Sequence, residues 1–210
     1  MTDTNSKTSS RHIKDEKGII VDLGTGDGRF VYQNALQNKE RFYLGIDASA
    51  NLLEKVSEKI HRKPAKGGLK NALFIQSAVE ALPEELDGVA NEVHIHFPWG
   101  SLLKGIATGD ETILKNIHRI CAPDAVLEVI IGVDQRRDAT ELQRLGISDL
   151  SPEYIATALT APYQDCGFEI IEIGSYTAGN WPDICTSWAQ RLRTNENRSI
   201  AYFIAKRTGR

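Results

Sequence analysis

Two acidic residues near the start of the chain stand beside a glycine-rich segment in a pattern that suits a nucleoside cofactor. The segment DLGTGDG at 22–28 follows a β-branched apolar run, and Asp47 follows the next apolar run. Its G-x-G-x-G spacing is not the G-x-G-x-x-G fingerprint of dinucleotide-binding folds. A carboxylate at Asp22 would repel a pyrophosphate but attract an ammonium group, and Asp47 is placed to accept hydrogen bonds from a ribose. The pattern favours S-adenosylmethionine, which has both groups; the alternative is a glycine-rich turn with incidental acids.

A second candidate segment, FPWGS at 97–101, follows a later apolar run. The proline fixes the chain direction, and the ring of Trp99 offers a face on which a planar group such as an extruded base could stack. The alternative is that Trp99 is a core aromatic, because tryptophan side chains are usually well buried. His94 and His96 alternate along the preceding strand and should share one face. With no third ligand nearby, zinc is not expected.

The elements that would position these residues alternate between strands and helices. Strands are predicted at 18–23, 42–46, 72–75, 92–97, 125–131, 168–173 and 200–205, and helices at 30–36, 52–60, 83–89, 110–120, 151–165 and 183–192. Such alternation predicts βαβ crossovers and a mostly parallel α/β sheet of seven strands, covered by helices on both faces, with the last pair antiparallel. The alternation of strand and helix signals weakens over residues 134–150.

Length and composition predict one globular domain. The chain has 210 residues, of which 41% are hydrophobic and 25% charged. We expect a flexible polar tail at 1–17 and a single domain at 18–210, with an insert at 179–198. Its three cysteines, Cys121, Cys166 and Cys185, are too widely spaced for a metal cluster and indicate a reducing compartment. The chain has no apolar leader and no run of about 20 apolar residues, so a cytoplasmic protein is expected.

The formal net charge of −3 conceals two basic segments. Residues 58–70 carry five lysines and arginines against one acid, a net +4, and residues 188–210 carry six against one, a net +5. The rest of the chain is therefore at −12. Charge segregated in this way is the footprint of a protein that touches phosphates with one face, although solvated helix faces and a basic tail give the same pattern.

Five segments carry a resemblance to a known family, in the same order over about residues 18–205. They are DLGTGDGR at 22–29, GID at 45–47, KPAKGGL at 63–69, FPWG at 97–100 and WAQRL at 188–192. Together they make the chain similar to the 16S rRNA methyltransferases of the kanamycin–apramycin aminoglycoside-resistance type, which methylate N1 of adenine 1408. The resemblance implies a class I S-adenosylmethionine-dependent, Rossmann-like fold. It also implies a monomer that acts on the assembled 30S ribosomal subunit.

The resemblance also assigns roles to individual residues. It places the cofactor against Asp22, Gly24, Thr25, Gly26, Asp47, Ala48, Ala78, Val79, Glu80, His96 and Ser101. It implies that Trp99 and Trp188 sandwich the flipped adenine while the backbone at Phe97 and Pro98 orients it. It assigns rRNA contacts to Lys59, Arg62, Lys63, Arg191 and Arg198, and it implies no metal. Adenine N1 is a neutral nucleophile, so positioning and electrostatics suffice and no catalytic base is expected.

The chain departs from the family where rRNA would be held. Members usually begin with a β-hairpin, for which the 17 polar residues here are too short. Glu58 and Glu196 stand where relatives carry basic residues, and Leu145 stands in a linker where arginine is common, so we expect weaker rRNA contact. Two other hypotheses therefore stay open: a methyltransferase of another RNA or a small molecule, and a catalytically silent binding module.

Overall fold

The apolar runs of the sequence form one sheet in the computed structural model, which describes residues 18–134, 136–176, 184, 186, 189, 190 and 200–209. The described residues contain seven strands: β1 (Ile19–Leu23), β2 (Phe42–Asp47), β3 (Ala72–Gln76), β4 (Ala90–His96), β5 (Cys121–Ile131), β6 (Phe168–Tyr176) and β7 (Ile200–Arg207). Their order across the sheet is β3-β2-β1-β4-β5-β7-β6. All seven predicted strands are confirmed, and β4 to β7 are longer than predicted.

The sheet is parallel except at one end. The pairs β1–β2, β2–β3, β1–β4 and β4–β5 are parallel, whereas β7 is antiparallel to both β5 and β6. The prediction of a mostly parallel sheet whose last two strands are antiparallel is therefore confirmed. Parallel pairing requires crossover connections, and the helices supply them.

Six helices lie among the described residues. They are α1 (Arg29–Gln37), α2 (Ala50–Ile60), α3 (Gly100–Thr108), α4 (Glu111–Ile120), α5 (Ala139–Leu145) and α6, which runs from Pro152–Tyr154 through a π-helical turn at Ile155–Leu159 to Thr160–Asp165. The start of α6 follows the sequence signals, since the Ser151 hydroxyl accepts a hydrogen bond from the Tyr154 amide at 3.1 Å and Pro152 occupies the first turn.

Sequence reasoning was wrong at three helical segments. The predicted helix at 83–89 is a single 3-10 turn, Glu84–Leu86, which begins directly after Pro83; another 3-10 turn, Val79–Ala81, precedes that proline. Helix α3 was not predicted, and α5 forms within a region where weak order was expected. Most of the helix predicted at 183–192 lies outside the described residues.

The two faces of the sheet bury different sets of apolar side chains. Helices α1 and α2 pack on one face against residues such as Ile20 and Tyr43. Helices α3 to α6 pack on the other face against residues such as Val21 and Ile95. Successive residues of a strand point to opposite faces, so Ile20 and Val21 belong to different layers. Both faces are thus covered, as predicted, and the carboxyl ends of β1 to β4 are left to shape a site. No described helix has both the length and the apolar character that crossing a membrane would require.

Candidate functional site

A cavity of about 540 Å³ opens at the carboxyl ends of β1 to β4. In an open α/β sheet ligands bind at this edge, because the loops that lead from the strands into the helices leave a crevice there. All eleven residues assigned to the cofactor by resemblance line the cavity: Asp22, Gly24, Thr25, Gly26, Asp47, Ala48, Ala78, Val79, Glu80, His96 and Ser101. Phe97, Pro98 and Trp99 line it as well.

The glycine-rich loop is held against the end of β2 by backbone hydrogen bonds. The amides of Gly24 and Thr25 both donate to the Ile46 carbonyl, at 2.8 and 3.1 Å. Gly24 has a φ of +74°, and a Cβ there would lie 2.9 Å from Leu102 Cδ2 in the cavity wall. Glycine is therefore needed for the left-handed backbone, whereas the Leu102 methyl group is the end of a flexible side chain and could shift.

Asp47 ties the same loop to the start of α2. Its Oδ2 accepts from the Gly26 amide at 2.8 Å, and its Oδ1 accepts from the Ser49 amide at 2.8 Å. A carboxylate has about four lone-pair positions, so Asp47 can still accept hydrogen bonds from a ligand in the cavity that it lines. One acid thus shapes the loop and presents acceptors to the site.

Asp22 is a carboxylate held out of water at the base of the cavity. It is 3% exposed, and its Oδ2 accepts a hydrogen bond from the Thr25 hydroxyl at 2.5 Å. Burial raises the pKa of Asp22 above its ordinary value, although His96, Thr25 and His94 act in the opposite direction. A buried anion at a cavity wall is a strong site for a ligand cation, because the ligand supplies the counter-charge that burial has removed.

The segment after β4 turns sharply and projects an aromatic ring. Phe97 has a φ of +53°, which is rare for a bulky residue, and its amide donates to the Ile130 carbonyl at 2.7 Å. Its side chain is buried, whereas Trp99 is 45% exposed where the chain enters α3. The alternative that Trp99 is a core aromatic is therefore wrong. Backbone strain at Phe97 directs the chain so that an indole stands at the cavity rim.

The basic residues after α2 are on the surface. Arg62 and Lys63 are exposed, as are Lys66 and Lys70. Lys59 is half-buried, with its Nζ 3.7 Å from the centroid of the Tyr32 ring, so its ammonium already has an aromatic partner.

Three predicted site residues, Trp188, Arg191 and Arg198, lie outside the described residues, as does Glu196. Their neighbours Thr186 and Gln190 are described. Thr186 lines the cavity, and the Gln190 side-chain oxygen accepts from Arg29 Nη1 at 2.9 Å. Sequence reasoning missed Thr186, because nothing in its local sequence marks a ligand contact. Glu58 is exposed. Leu145, expected in the linker after β5, is instead the last residue of α5 and is 6% exposed in the main core.

Behind the cavity, polar residues form a row across the sheet where apolar ones would be usual. His94 and His96 do share a face, with ring centroids 5.2 Å apart, as predicted. The expectation that no third group is near them is wrong, because Glu128 Oε1 lies 2.7 Å from His96 Nε2 and 3.0 Å from His94 Nδ1. The signal was a lone glutamate in the middle of an apolar strand.

The spacing of this group fits hydrogen bonds better than a metal. Atoms bound to one tetrahedral zinc at 2.0–2.1 Å would be about 3.3 Å apart, more than the distances from Glu128 Oε1. Burial alone would lower the pKa of His94, but hydrogen bonds to Glu128 and Glu92 raise it to about 10. A protonated His94 has no lone pair to give a metal.

Solved structures similar to this chain bind S-adenosylmethionine or act in antibiotic resistance, by their own descriptions. The aminoglycoside resistance methyltransferase NpmB1 is 42% identical, with a TM-score of 0.80 over 93% of this chain and 89% of its own. A variant of the 16S rRNA (adenine(1408)-N(1))-methyltransferase from Catenulisporales acidiphilia, solved with cosubstrate SAM, is 31% identical, with a TM-score of 0.83 over 92% and 87%. The strand order and the cavity, together with these neighbours, define a class I S-adenosylmethionine-dependent methyltransferase.

Sequence comparison narrows the class to a family. The model of the family described as NpmA, 16S rRNA (adenine(1408)-N(1))-methyltransferase, matches residues 1–207. A protein of the same description from Escherichia coli is 34% identical over 183 residues, which is 87% of this chain and 84% of the relative. This chain belongs to the 16S rRNA (adenine(1408)-N(1))-methyltransferase family.

Proposed function

We propose that this chain transfers the methyl group of S-adenosylmethionine to N1 of adenine 1408 in 16S rRNA and thereby confers aminoglycoside resistance. The observation that carries the proposal is the half-exposed ring of Trp99 at the rim of a cavity whose base holds the buried carboxylate of Asp22. A cation-binding base and an aromatic rim suit a positively charged cofactor below and a planar base above.

Different residues of the cavity would contact different parts of the cofactor. Asp22 would hold the ammonium group of its methionine end, Asp47 would accept from the ribose hydroxyls, and 78–80 would border the adenine. When bound, S-adenosylmethionine supplies an electrophilic methyl group. The chain then has to bring adenine N1 into line with that methyl group and exclude water, and neither task needs a general base.

The target adenine has to leave its helix to reach the cavity. Unstacking costs a few kcal/mol, and stacking on an aromatic side chain returns about 1–3 kcal/mol for each base. Trp99 would provide one face, and Trp188 the other. The strained backbone at Phe97, followed by the fixed φ of Pro98, would fix the height of the base over the cofactor.

Electrostatic attraction would dock the protein on rRNA. Arg62 and Lys63 are exposed and make no ion pair within the described part of the chain, so they can neutralise phosphates without losing an internal partner. Lys59 would contribute less, because it already lies over Tyr32. Arg191 and Arg198 in the insert at 179–198 would extend this surface, while Glu58 would oppose it.

The proposed partner is the assembled 30S subunit, bound by a monomer in the cytoplasm. Its single domain at 18–210 would dock the basic surface beside the decoding site. The family membership supports the rRNA substrate.

The proposal is tested with purified protein, labelled S-adenosylmethionine and three substrates: intact 30S subunits, protein-free 16S rRNA and 50S subunits. We expect label in 30S subunits alone and a new primer-extension stop at adenine 1408. Label at another nucleotide, label in a small-molecule pool in preference to 30S, or cofactor binding without any transfer would overturn the proposal. In a susceptible bacterium, expression should permit growth on kanamycin and apramycin, and failure to do so would contradict the resistance claim.

A further inference from the structure

The polar row behind the cofactor cavity runs through the middle of the sheet with alternating charge. Arg41 Nη1 lies 2.6 Å from Glu92 Oε1, and Glu92 Oε2 lies 3.4 Å from His94 Nε2. His94 Nδ1 faces Glu128 Oε1, and the same oxygen faces His96 Nε2, at the wall of the cavity. The row thus ends at the site itself.

The charges in this row fix the position of one proton. His94 is an imidazolium at neutral pH, since its pKa is raised to about 10, and it donates to Glu128. Burial alone would raise the pKa of Glu128, but its hydrogen bonds to the two histidines hold that pKa well below the usual range. Glu128 is therefore an ionised acceptor. His96 Nε2 must carry a hydrogen to bond to it, which leaves His96 Nδ1 as an acceptor whenever the ring is neutral.

His96 Nδ1 is the one buried side-chain nitrogen or oxygen among the described residues that has no hydrogen-bond partner. The residue is only 7% exposed, and Phe30 covers its ring at a centroid distance of 4.8 Å. A buried polar atom without a partner costs about 1–3 kcal/mol of stability. We therefore expect a ligand to supply the hydrogen-bond donor that this acceptor lacks.

The carboxylate of Asp22 lies on the same face of the sheet as this acceptor. Asp22 pairs in register with His94 on the adjacent strand and therefore shares the face of His96, two residues further along β4. Asp22 and His96 both line the cavity. Asp22 uses Oδ2 for the Thr25 hydroxyl, and its Oδ1 accepts no hydrogen bond from a described residue.

We propose that His96 Nδ1 and the Asp22 carboxylate together receive the ammonium group of the cofactor, and that Glu128 and His94 are positioning residues that keep His96 an acceptor. The inference rests on the proposed use of S-adenosylmethionine. An ammonium group has three N–H donors and no acceptor, so two acceptors from residues that line the same cavity suit it, whereas a hydrogen on Nδ1 would repel it. Of the two neutral forms of the ring, the one with hydrogen on Nδ1 is unfavourable, because it would turn the Nε2 lone pair toward the ionised Glu128.

The binding test separates the amino-acid end of the ligand from its nucleoside. S-adenosylhomocysteine carries the ammonium group, and 5′-methylthioadenosine has the same nucleoside without the amino-acid end. Isothermal titration of both ligands is done on wild type, His96→Gln and His96→Asn. The asparagine amide oxygen can stand near the place of Nδ1, whereas glutamine reaches the place of Nε2, so the two variants are matched controls.

We expect His96→Gln to bind S-adenosylhomocysteine about 10- to 100-fold more weakly, the usual effect of losing a hydrogen bond to a charged group. His96→Asn should keep most of the affinity, and 5′-methylthioadenosine should bind all three proteins alike. Equal losses for both ligands, or no loss for either, would overturn the inference. Wild type that binds neither ligand would instead refute the proposed cofactor, so the two failures are distinguishable.

A spectroscopic measurement covers the case in which a variant does not fold. In wild type labelled with ¹⁵N-histidine, His96 should show the tautomer with hydrogen on Nε2, and its Nδ1 signal should shift with S-adenosylhomocysteine but not with 5′-methylthioadenosine. In Glu128→Gln that tautomer should lose its preference, with weaker binding of S-adenosylhomocysteine alone. A hydrogen on Nδ1 in wild type, or stoichiometric zinc bound through His94 and His96, would refute the proposal.

Discussion

Replacing Asp22 by asparagine should make the protein more stable and, at the same time, a poorer binder of its cofactor. The carboxylate is 3% exposed, and burial raises its pKa, so its ionised form is less favourable in the folded protein than in the unfolded chain. The asparagine side chain would keep an oxygen to accept from the Thr25 hydroxyl but would carry no charge. The substitution therefore removes a cost of folding and a partner for a cation together.

Both effects can be given a magnitude. The penalty for a buried group that lacks full compensation is about 1–3 kcal/mol, and each kcal/mol changes the melting temperature of a chain of this size by about 2–4 °C. Loss of a charge-assisted hydrogen bond to the ammonium group costs about 1.5–3 kcal/mol, which corresponds to about 10- to 150-fold weaker cofactor binding.

The sign of the pH dependence follows from the raised pKa of Asp22. Below its ordinary value of 3.8 the carboxyl is protonated in both states, and Asp22→Asn should match wild type. As the pH rises through the interval up to the folded-state pKa, wild type acquires the cost of a buried charge, so the stability advantage of the variant should grow and then level off.

The assay is thermal and urea unfolding without ligand from about pH 3 to 7.5, followed by calorimetric titration with S-adenosylmethionine. Asp165→Asn serves as the control, because Asp165 is exposed and should change stability by less than about 0.5 kcal/mol at any pH. If Asp22→Asn is less stable than wild type at pH 7, or binds the cofactor equally well, this prediction is wrong. The carboxylate would then stabilise the loop and would not be a cofactor-binding group that lowers the stability of the fold.

Three further predictions concern the rim, the basic surface and the core. Trp99→Ala should leave melting temperature and cofactor affinity nearly unchanged but lower methylation of 30S subunits about 10- to 100-fold; the exposed Ile171→Ala is the control, and equal losses of cofactor binding and turnover would contradict this. Arg62→Glu combined with Lys63→Glu should weaken 30S binding. The slope of log binding constant against log salt concentration should become shallower by about two or more, as measured by filter binding at several salt concentrations. An unchanged slope would exclude these residues from the interface. Leu145→Arg should lower the free energy of unfolding in urea by about 2–5 kcal/mol without strengthening rRNA binding, because the position is buried; a stable variant with tighter binding would refute this.

The strands and the position of the site could be predicted from the sequence because each depends on local signals. A β-branched run that breaks into glycines marks the end of β1, and an acid directly after the next run marks the end of β2. Since parallel strands end at one edge of the sheet, Asp22, Asp47 and the segment at 97–101 had to meet there. Helix α3 was missed because Gly100 and Gly105 weaken its helical pattern, and Gly105 is in fact required for contact with Ile113 of α4.

The row behind the site could not be predicted in the same way, because it depends on register between strands. Glu128 lies opposite His94 only because β4 and β5 pair in the observed alignment, and a shift of one residue would move its side chain to the other face. Likewise, Leu145 reads as a linker residue until the fold shows that α5 packs against the sheet. Separations of 30 residues or more carry no periodicity from which such contacts could be read.

Burial also changes what the net charge of −3 implies for an rRNA partner. Asp22 and Glu92 are buried, Glu128 is largely buried, and the last two are compensated by neighbouring cations. Glu92 and Glu128 count in the formal charge, but because each faces a cation they present little field to an approaching phosphate. Arg62 and Lys63, in contrast, are exposed and screened only by water. Because screened charges act over about one Debye length, roughly 8–10 Å, the local sign of this surface decides docking, and the average over the chain does not.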